Sequence, residues 1–307
     1  PILNFFHKKR DPDADIEHKQ YRDDNGVSHH KIKTPYGDLT ESRRMNSTYP
    51  DERILKKKED FKAVLYYVKS QVQSYEFNEM GYEIFKEINE GRTVTTADVG
   101  RSPYNKCIVE LAGTRNTMLL MKRYTKEFDE FCAELEKINL EIILPKILES
   151  PVEFVSIGEN VDCRNDPPPV YEKYLLPYFN KVAKACKDAG KFTHAHFDGN
   201  LEDLLPYLSD EMYPFDGIEA PTFLPQGDVT LQKFKEALGD NVIVLDGIPS
   251  TVFLPQFSEK RFVDMVEEVL ETFSPNLILG VSDEYSPNGL FKRLKMVSEI
   301  VAKFDVD

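Results

Sequence analysis

The stretch Lys191-Phe-Thr-His-Ala-His-Phe-Asp-Gly199 sets two imidazoles and a carboxylate at alternate positions. A helix stop at Ala189-Gly190 precedes it, and Asn200-Leu-Glu-Asp-Leu-Leu follows, opening another helix with Asn200 as N-cap. A short segment between a helix end and a helix start reads as a buried parallel strand. Strand side chains alternate, so His194, His196 and Asp198 share one face while Thr193, Ala195 and Phe197 share the other. Imidazoles and a carboxylate at the carboxyl end of such a strand are suited to hold a metal or to move protons. The plainer alternative is a hydrogen-bonded interior histidine, which suits the deeper His194 best, with Asp198 leading into the turn.

Other strand ends carry similar groups. In chain order they are Asp98 with Arg101, Glu159-Asn160 with Asp162, His196-Phe-Asp198, Glu219, Asp246, and Asp283-Glu284. Each alone is weak, because Asp and Asn commonly start loops and cap helices. Gathered at one rim, so many carboxylates would repel unless a cation, a proton or an arginine neutralised them. Arg101 is one such compensator and a divalent metal another. His196, Asp198, Glu219 and Asp283 offer a mixed nitrogen and oxygen ligand set that zinc, iron, manganese or cobalt would accept. Without a metal, the same groups predict an acid/base site with raised carboxylate pKa values, in which His196, Asp98, Arg101 and Glu159 would act.

The elements that must position these groups alternate. Phe77–Asn89 reads as a helix closed by Gly91, and 93–99 as a strand. A helix over 104–112 and a long one over 126–148, interrupted at Pro145, come next. Strands follow at 153–157, within 191–199, and at 215–219, 241–246 and 276–281. The helices between and after them cover 170–189 with a kink at Pro177, then about 201–208, 230–238, 258–273 and 289–304. Sustained β-then-α alternation implies a parallel sheet with helical crossovers. The expected fold is α/β, a (β/α)8 TIM barrel. A doubly wound open sheet is the alternative, although no GxGxxG follows any strand. Residues 1–60, dense in charge, read as an extension with a hairpin turning at Pro35-Tyr-Gly-Asp38, packed on a barrel over 61–307. Adjacent His29 and His30 point to opposite faces of that hairpin and are expected to lie in solvent rather than on a shared metal.

A formal charge of −14 argues against non-specific nucleic-acid binding and against an anionic membrane surface. No apolar run reaches the length of a membrane span. Cys107, Cys132, Cys163 and Cys186 lie far apart without metal-knuckle spacing, as expected of reduced thiols in a cytoplasm. The chain opens on Pro1 rather than Met, so its natural start is expected to lie elsewhere.

Four motifs in order resemble the uroporphyrinogen decarboxylase-like superfamily. They are Thr34-Pro-Tyr-Gly-Asp-Leu-Thr-Glu, Pro169-Val-Tyr-Glu-Lys-Tyr-Leu-Leu-Pro-Tyr-Phe179, His196-Phe-Asp-Gly-Asn200, and Leu277-Ile-Leu-Gly-Val-Ser-Asp-Glu-Tyr-Ser-Pro-Asn288. The resemblance runs from about 31 to 304 and implies a (β/α)8 barrel. It also implies one of three activities: haem-pathway decarboxylation, cobalamin-independent methionine synthesis, or methyl transfer involving corrinoid proteins. The decarboxylase's Arg-Gln-Ala-Gly-Arg segment is missing from residues 1–60. The methyltransferases bind zinc through His-x-Cys-Gly, a Glu on the next strand and a late Cys. Here His196 and Gly199 match, Asp198 replaces the first Cys, Glu219 fits the Glu, and Asp283 falls where the second Cys is expected. A zinc without thiolates is a harder Lewis acid, better suited to an oxygen or nitrogen substrate than to a thiol.

The favoured reading is therefore a methyltransferase. It would move a methyl group between a small O- or N-methyl substrate and a corrinoid carried by a partner protein, with a divalent metal, zinc foremost, at the barrel mouth. Asn160, His194, Tyr104, Asp246 and Tyr285 would line the substrate site, with Tyr171 beside them in the mouth loops. The alternative is a metal-independent lyase in which Arg101 grips a substrate carboxylate and His196 or Asp98 protonates the carbanion. A barrel kept only for binding has little need of so many titratable groups.

Overall fold

The computed structural model describes residues 5–47, 49–90, 92–209 and 211–305. The chain packs as two compact units, Pro1–Glu153 and Phe154–Asp307. The expected helix stop at Gly91 lies outside the described residues.

In the first unit, β1 (Phe6–Lys9) pairs antiparallel with a later strand, while β2 (Glu17–Arg22), β3 (Ser28–Thr34) and β4 (Gly37–Arg43) form an antiparallel meander. The β3–β4 hairpin turns where the Pro-Tyr-Gly-Asp sequence places it. Ile32 and Leu39 face each other across it, each 1% exposed, on the side covered by the helix Asp60–Ser70. Strand β2 has six exposed residues and no apolar periodicity, so sequence pattern alone does not reveal it. It brings His18 Nδ1 to 2.9 Å from His30 Nε2, while His29 turns away to Asp23 at 3.0 Å, as adjacent strand residues must. The partner of β1 is β5 (Ser74–Phe77), and β6 (Thr96–Asp98) is the last strand of this unit.

Both expected proline interruptions are present, and they share a device. The helix Thr125–Lys137 passes through a π-helical stretch, Ile138–Ile143, into Leu144–Glu149. In the second unit, Tyr171–Leu175 is π-helical ahead of Leu176–Asp188. In each case the proline, Pro145 or Pro177, takes the first turn of the continuing helix, where its missing N–H is tolerated and the widened turn absorbs its ring.

The second unit is built on β7 (Phe154–Ile157), β8 (Phe192–His196), β9 (Gly217–Glu219), β10 (Ile243–Pro249) and β11 (Leu277–Ser282), parallel and side by side in that order. Helical segments follow every strand, at 168–188, 202–208, 231–238, 250–253 with 259–273, and 292–301, matching the expected alternation. Val155, Ala195, Ile218, Val244 and Ile248 are at most 1% exposed. Phe223, Phe234 and Phe273 meet with ring centroids 5.1–6.2 Å apart, each burying a side chain worth about 2–3 kcal/mol.

The boundaries of the His strand follow from local chemistry. Gly190 adopts φ +70°, its N–H donates to Lys187 O, and the Lys191 N–H donates back to Cys186 O. This Schellman closure ends the preceding helix and aims the chain into β8. Asn200 is not the cap expected at the other end. Its amide donates to Asp162 Oδ2 at 3.3 Å, and Asp228 Oδ1 accepts the N–H groups of Leu201 (2.8 Å) and Glu202 (3.3 Å) instead. A carboxylate reaching in from distant sequence wins because it accepts two orphan donors at once.

Buried Arg293 ties the last helix to the loop after β10. Its Nη1 donates to Val252 O (2.5 Å) and Leu254 O (2.8 Å), its Nη2 to Phe257 O (2.5 Å), and its guanidinium lies 5.2 Å from the Phe262 ring centroid. Arg293→Met keeps the apolar stem but strands these carbonyls, and should cost on the order of 3 kcal/mol or more by urea denaturation. A loss under about 1 kcal/mol would show that water can take the guanidinium's place.

Candidate metal and acid/base site

Strand register builds the site. His196 lies opposite Glu219, and Asp246 follows Leu245, which pairs with Glu219 on the other side. Three neighbouring strands thus deliver His196 and Glu219 as their last residues and Asp246 from the middle of β10, which runs on to Pro249, past the end expected at 246. Asp198 comes two residues beyond β8 and Asp283 one beyond β11.

Glu219 Oε2 lies 3.2 Å from His196 Nδ1 and 3.7 Å from His194 Nδ1, so both imidazoles face the same side, as alternation requires. His196 Nε2 lies 3.5 Å from Asp198 Oδ2, which accepts a hydrogen bond from Asn160 Nδ2 at 2.8 Å. Donor atoms of His196, Asp198 and Asp283 all fall within 4.8 Å of one another, the spacing of a shared ion. Thr222 Oγ1 donates to Asp198 O (3.2 Å) and Gly199 O (2.8 Å), pinning the turn that carries Asp198.

Electrostatics follow from this crowding. Burial opposes charge on His196, yet the hydrogen bonds to Asp198 and Glu219 outweigh it and raise the imidazole to about 10. Burial pushes Glu219 up as well, but its bond to His196 leaves it below the ordinary carboxylate value. Burial first, then the charges of Glu219 and Asp283, raise Asp246 to about 7. Asp283 is raised by burial and by the charge of Asp198. A site this rich in carboxylates holds protons at neutral pH or exchanges them for a cation.

Asp246 reaches its place through a left-handed backbone, φ +78°, and through Gly280 on the adjacent strand. A Cβ at Gly280 would sit 2.2 Å from Asp246 Oδ1. Gly280→Ala should swing the carboxylate out of the site at a stability cost of only about 1 kcal/mol, since a rotatable side chain can yield. Weaker binding of Co2+ without comparable unfolding, read from titration calorimetry and urea midpoints on one preparation, is the expected signature; equal loss of both would refute it.

Other expected residues are placed differently. Asp98, Arg101 and Tyr104 belong to the first unit. Arg101 Nη1 lies 3.5 Å from Glu110 Oε1, and Asp98 Oδ1 accepts the Gly100 N–H at 2.9 Å. Tyr104 is not in an open loop: Ser102 and Pro103 start a helix, Pro103–Lys106, that carries it fully buried against Phe128. Tyr171 is likewise buried, within Tyr171–Leu175, and burial with the nearby Asp166 and Glu159 charges raises its phenol strongly. Glu159 is 1% exposed, outside the metal-spaced trio. Tyr285 does occupy the loop after β11, its ring 5.3 Å from that of Phe253. Sequence reasoning missed Gly280, Thr222 and Ser282. The Ser282 hydroxyl accepts the Gly247 N–H (3.1 Å) and donates to Pro221 O (2.8 Å), linking the end of β11 to β10 and to the loop after β9. Only Gly280 left a signal, as a glycine inside a strand.

Parallel strands with helical crossovers and convergent polar groups at their carboxyl ends define the second unit as an α/β scaffold of the kind that hosts enzymes. A solved structure at a TM-score above 0.5 shares this fold. A methyltransferase from Methanosarcina mazei aligns over 73% of this chain with a TM-score of 0.57 at 15% identity. The chain spans 63% of that protein's length, less than two-thirds. A putative vitamin-B12-independent methionine synthase from Listeria monocytogenes (TM-score 0.43, 14% identity, 72% of this chain and 67% of that one) is more distant. So is a B12-independent methionine synthase from a Shewanella species, in complex with selenomethionine (0.42, 14%, 94% and 75%). No family model and no curated protein matches the chain. The resemblance drawn from the four sequence motifs thus holds at the level of fold. Among the described residues no helix is long and apolar enough to cross a membrane.

Proposed function

We propose that this chain is a methyltransferase on a (β/α)8 barrel, of which the five parallel strands are an arc. It would move a methyl group from a small O- or N-methyl substrate to a corrinoid carried by a partner protein. The observation that carries this reading is the convergence of His196, Asp198 and Asp283. One imidazole and two carboxylates without a thiolate suit a divalent ion of borderline or hard character, zinc, manganese, iron or cobalt. The residues that would hold it lie among His196, Asp198, Asp283 and Glu219. When bound, the ion would act as a Lewis acid on the heteroatom that bears the methyl group.

This chain's own groups would do the rest. Asn160 holds the Asp198 carboxylate in place. Asp246, protonated to about pH 7, can give its proton to the heteroatom as the methyl group departs. Tyr285 and the buried side of the site would orient the substrate and limit water. The partner would dock over the strand ends, since methyl transfer needs donor and acceptor in contact.

The test is elemental analysis of purified protein, followed by assay of O- and N-methyl compounds with free cob(I)alamin as acceptor, read by its visible spectrum. About one tightly held divalent ion per chain and chelator-sensitive methylation are expected. Metal-free protein that releases CO2 from a carboxylated substrate would replace this reading with the lyase alternative.

A further inference from the structure

The sequence resemblance puts Glu219 among the metal ligands, but the geometry sets it apart. His196 divides its two nitrogens between partners, Nδ1 toward Glu219 at 3.2 Å and Nε2 toward Asp198 at 3.5 Å. Among the described residues, the trio whose donor atoms lie close enough to share an ion is His196, Asp198 and Asp283, without Glu219. The reason is positional. Glu219 sits directly across from His196 on the next strand, so its carboxylate meets the side of the ring nearest the sheet. Asp198 and Asp283 come from the loops beyond the strand ends.

We propose that Glu219 is a positioning residue: it accepts the Nδ1–H of His196 and so leaves the Nε2 lone pair for an ion shared with Asp198 and Asp283. An imidazole carries one proton when neutral, so a carboxylate at Nδ1 decides which nitrogen is the donor and which the ligand. Asn160 steadies Asp198 in turn by donating to Oδ2, the oxygen that also lies nearest His196 Nε2. The set therefore presents three protein donors and leaves the remaining coordination positions for substrate and water. This inference rests on the metal-bearing reading above.

The test uses Co2+ added to the metal-free full-length chain, with affinity from titration calorimetry and coordination from the visible d–d spectrum at saturation. Glu219→Gln keeps an oxygen that can accept the Nδ1–H, whereas Glu219→Ala does not. Weakening of about 10–100-fold is expected for Glu219→Ala and less for Glu219→Gln, both with wild-type band positions and intensity. Asp283→Asn and Asp198→Asn, which alter donors, should change the spectrum as well as the affinity. A changed spectrum in saturated Glu219→Gln, or loss of binding equal to that of His196→Ala, would make Glu219 a ligand and overturn the inference while the metal reading stands. Failure of the wild type to bind Co2+ would overturn both. Far-UV circular dichroism and urea midpoints confirm folding; should Glu219→Ala unfold, the Glu219→Gln spectrum decides.

Discussion

His196→Ala is expected to abolish the proposed divalent-metal binding, lowering affinity by a factor on the order of 1,000 or more, and with it the proposed methyl transfer. The imidazole is the one nitrogen donor of the trio, and both of its nitrogens are engaged by carboxylates. Its removal takes away the imidazolium that Asp198 and Glu219 both contact. They would then protonate more readily, which competes further with any metal. The side chain is part-exposed beyond the strand's buried centre, so its truncation opens little cavity and the fold should survive. Calorimetric titration with Zn2+ and Co2+, beside circular dichroism, measures both effects. Wild-type affinity in folded His196→Ala would show that the ion, if any, sits elsewhere.

The second large effect is on pH dependence. His196 has its pKa raised from 6.5 to about 10 in the fold. The stabilisation it contributes is therefore complete below 6.5 and disappears as pH climbs from there to about 10. Asp246 is also raised, from 3.8 to about 7, so the folded state again binds more protons than the unfolded one and stability falls as pH rises through that window. The two windows run in sequence, and metal-free protein should lose a few kcal/mol between about pH 5 and 10. Glu219 works the other way: its pKa is lowered, so its contribution is lost on acidification. Metal competes with the His196 proton, so its apparent affinity should rise about tenfold per pH unit below pH 10, with release of about one proton. Urea midpoints across pH, and calorimetry in buffers of different ionisation enthalpy, read these quantities. His196→Gln should flatten the upper part of the stability curve; an unchanged slope there would assign the proton to another group.

Much of the architecture was legible in the chain because its signals are local. Period-2 alternation put His194 and His196 on one face, and Glu219 touches both. The Ala-Gly stop ended its helix where expected, since a left-handed closure needs glycine and little else. Pro145 and Pro177 marked the interruptions because a missing N–H acts within one helical turn. Strand β2 escaped notice because its pairing residues are polar and exposed, and only β3 makes it a strand. Tyr104 and Tyr171, expected beside the mouth at the starts of their helices, are fully buried, because burial is decided by distant chain and not by neighbours in sequence.

The sequence by itself determined the succession of elements and the chemical types at each strand end, because hydrophobic period, caps and breakers act over a few residues. Only the tertiary structure decided which groups meet. Lateral register set Glu219 against one nitrogen of His196, loops beyond the strands brought Asp198 and Asp283 to the other side, and Gly280 made room for Asp246. Apart from His196 with Asp198, those contacts join residues tens of positions apart, and the shared burial and charge that shift their pKa values exist only once they are assembled.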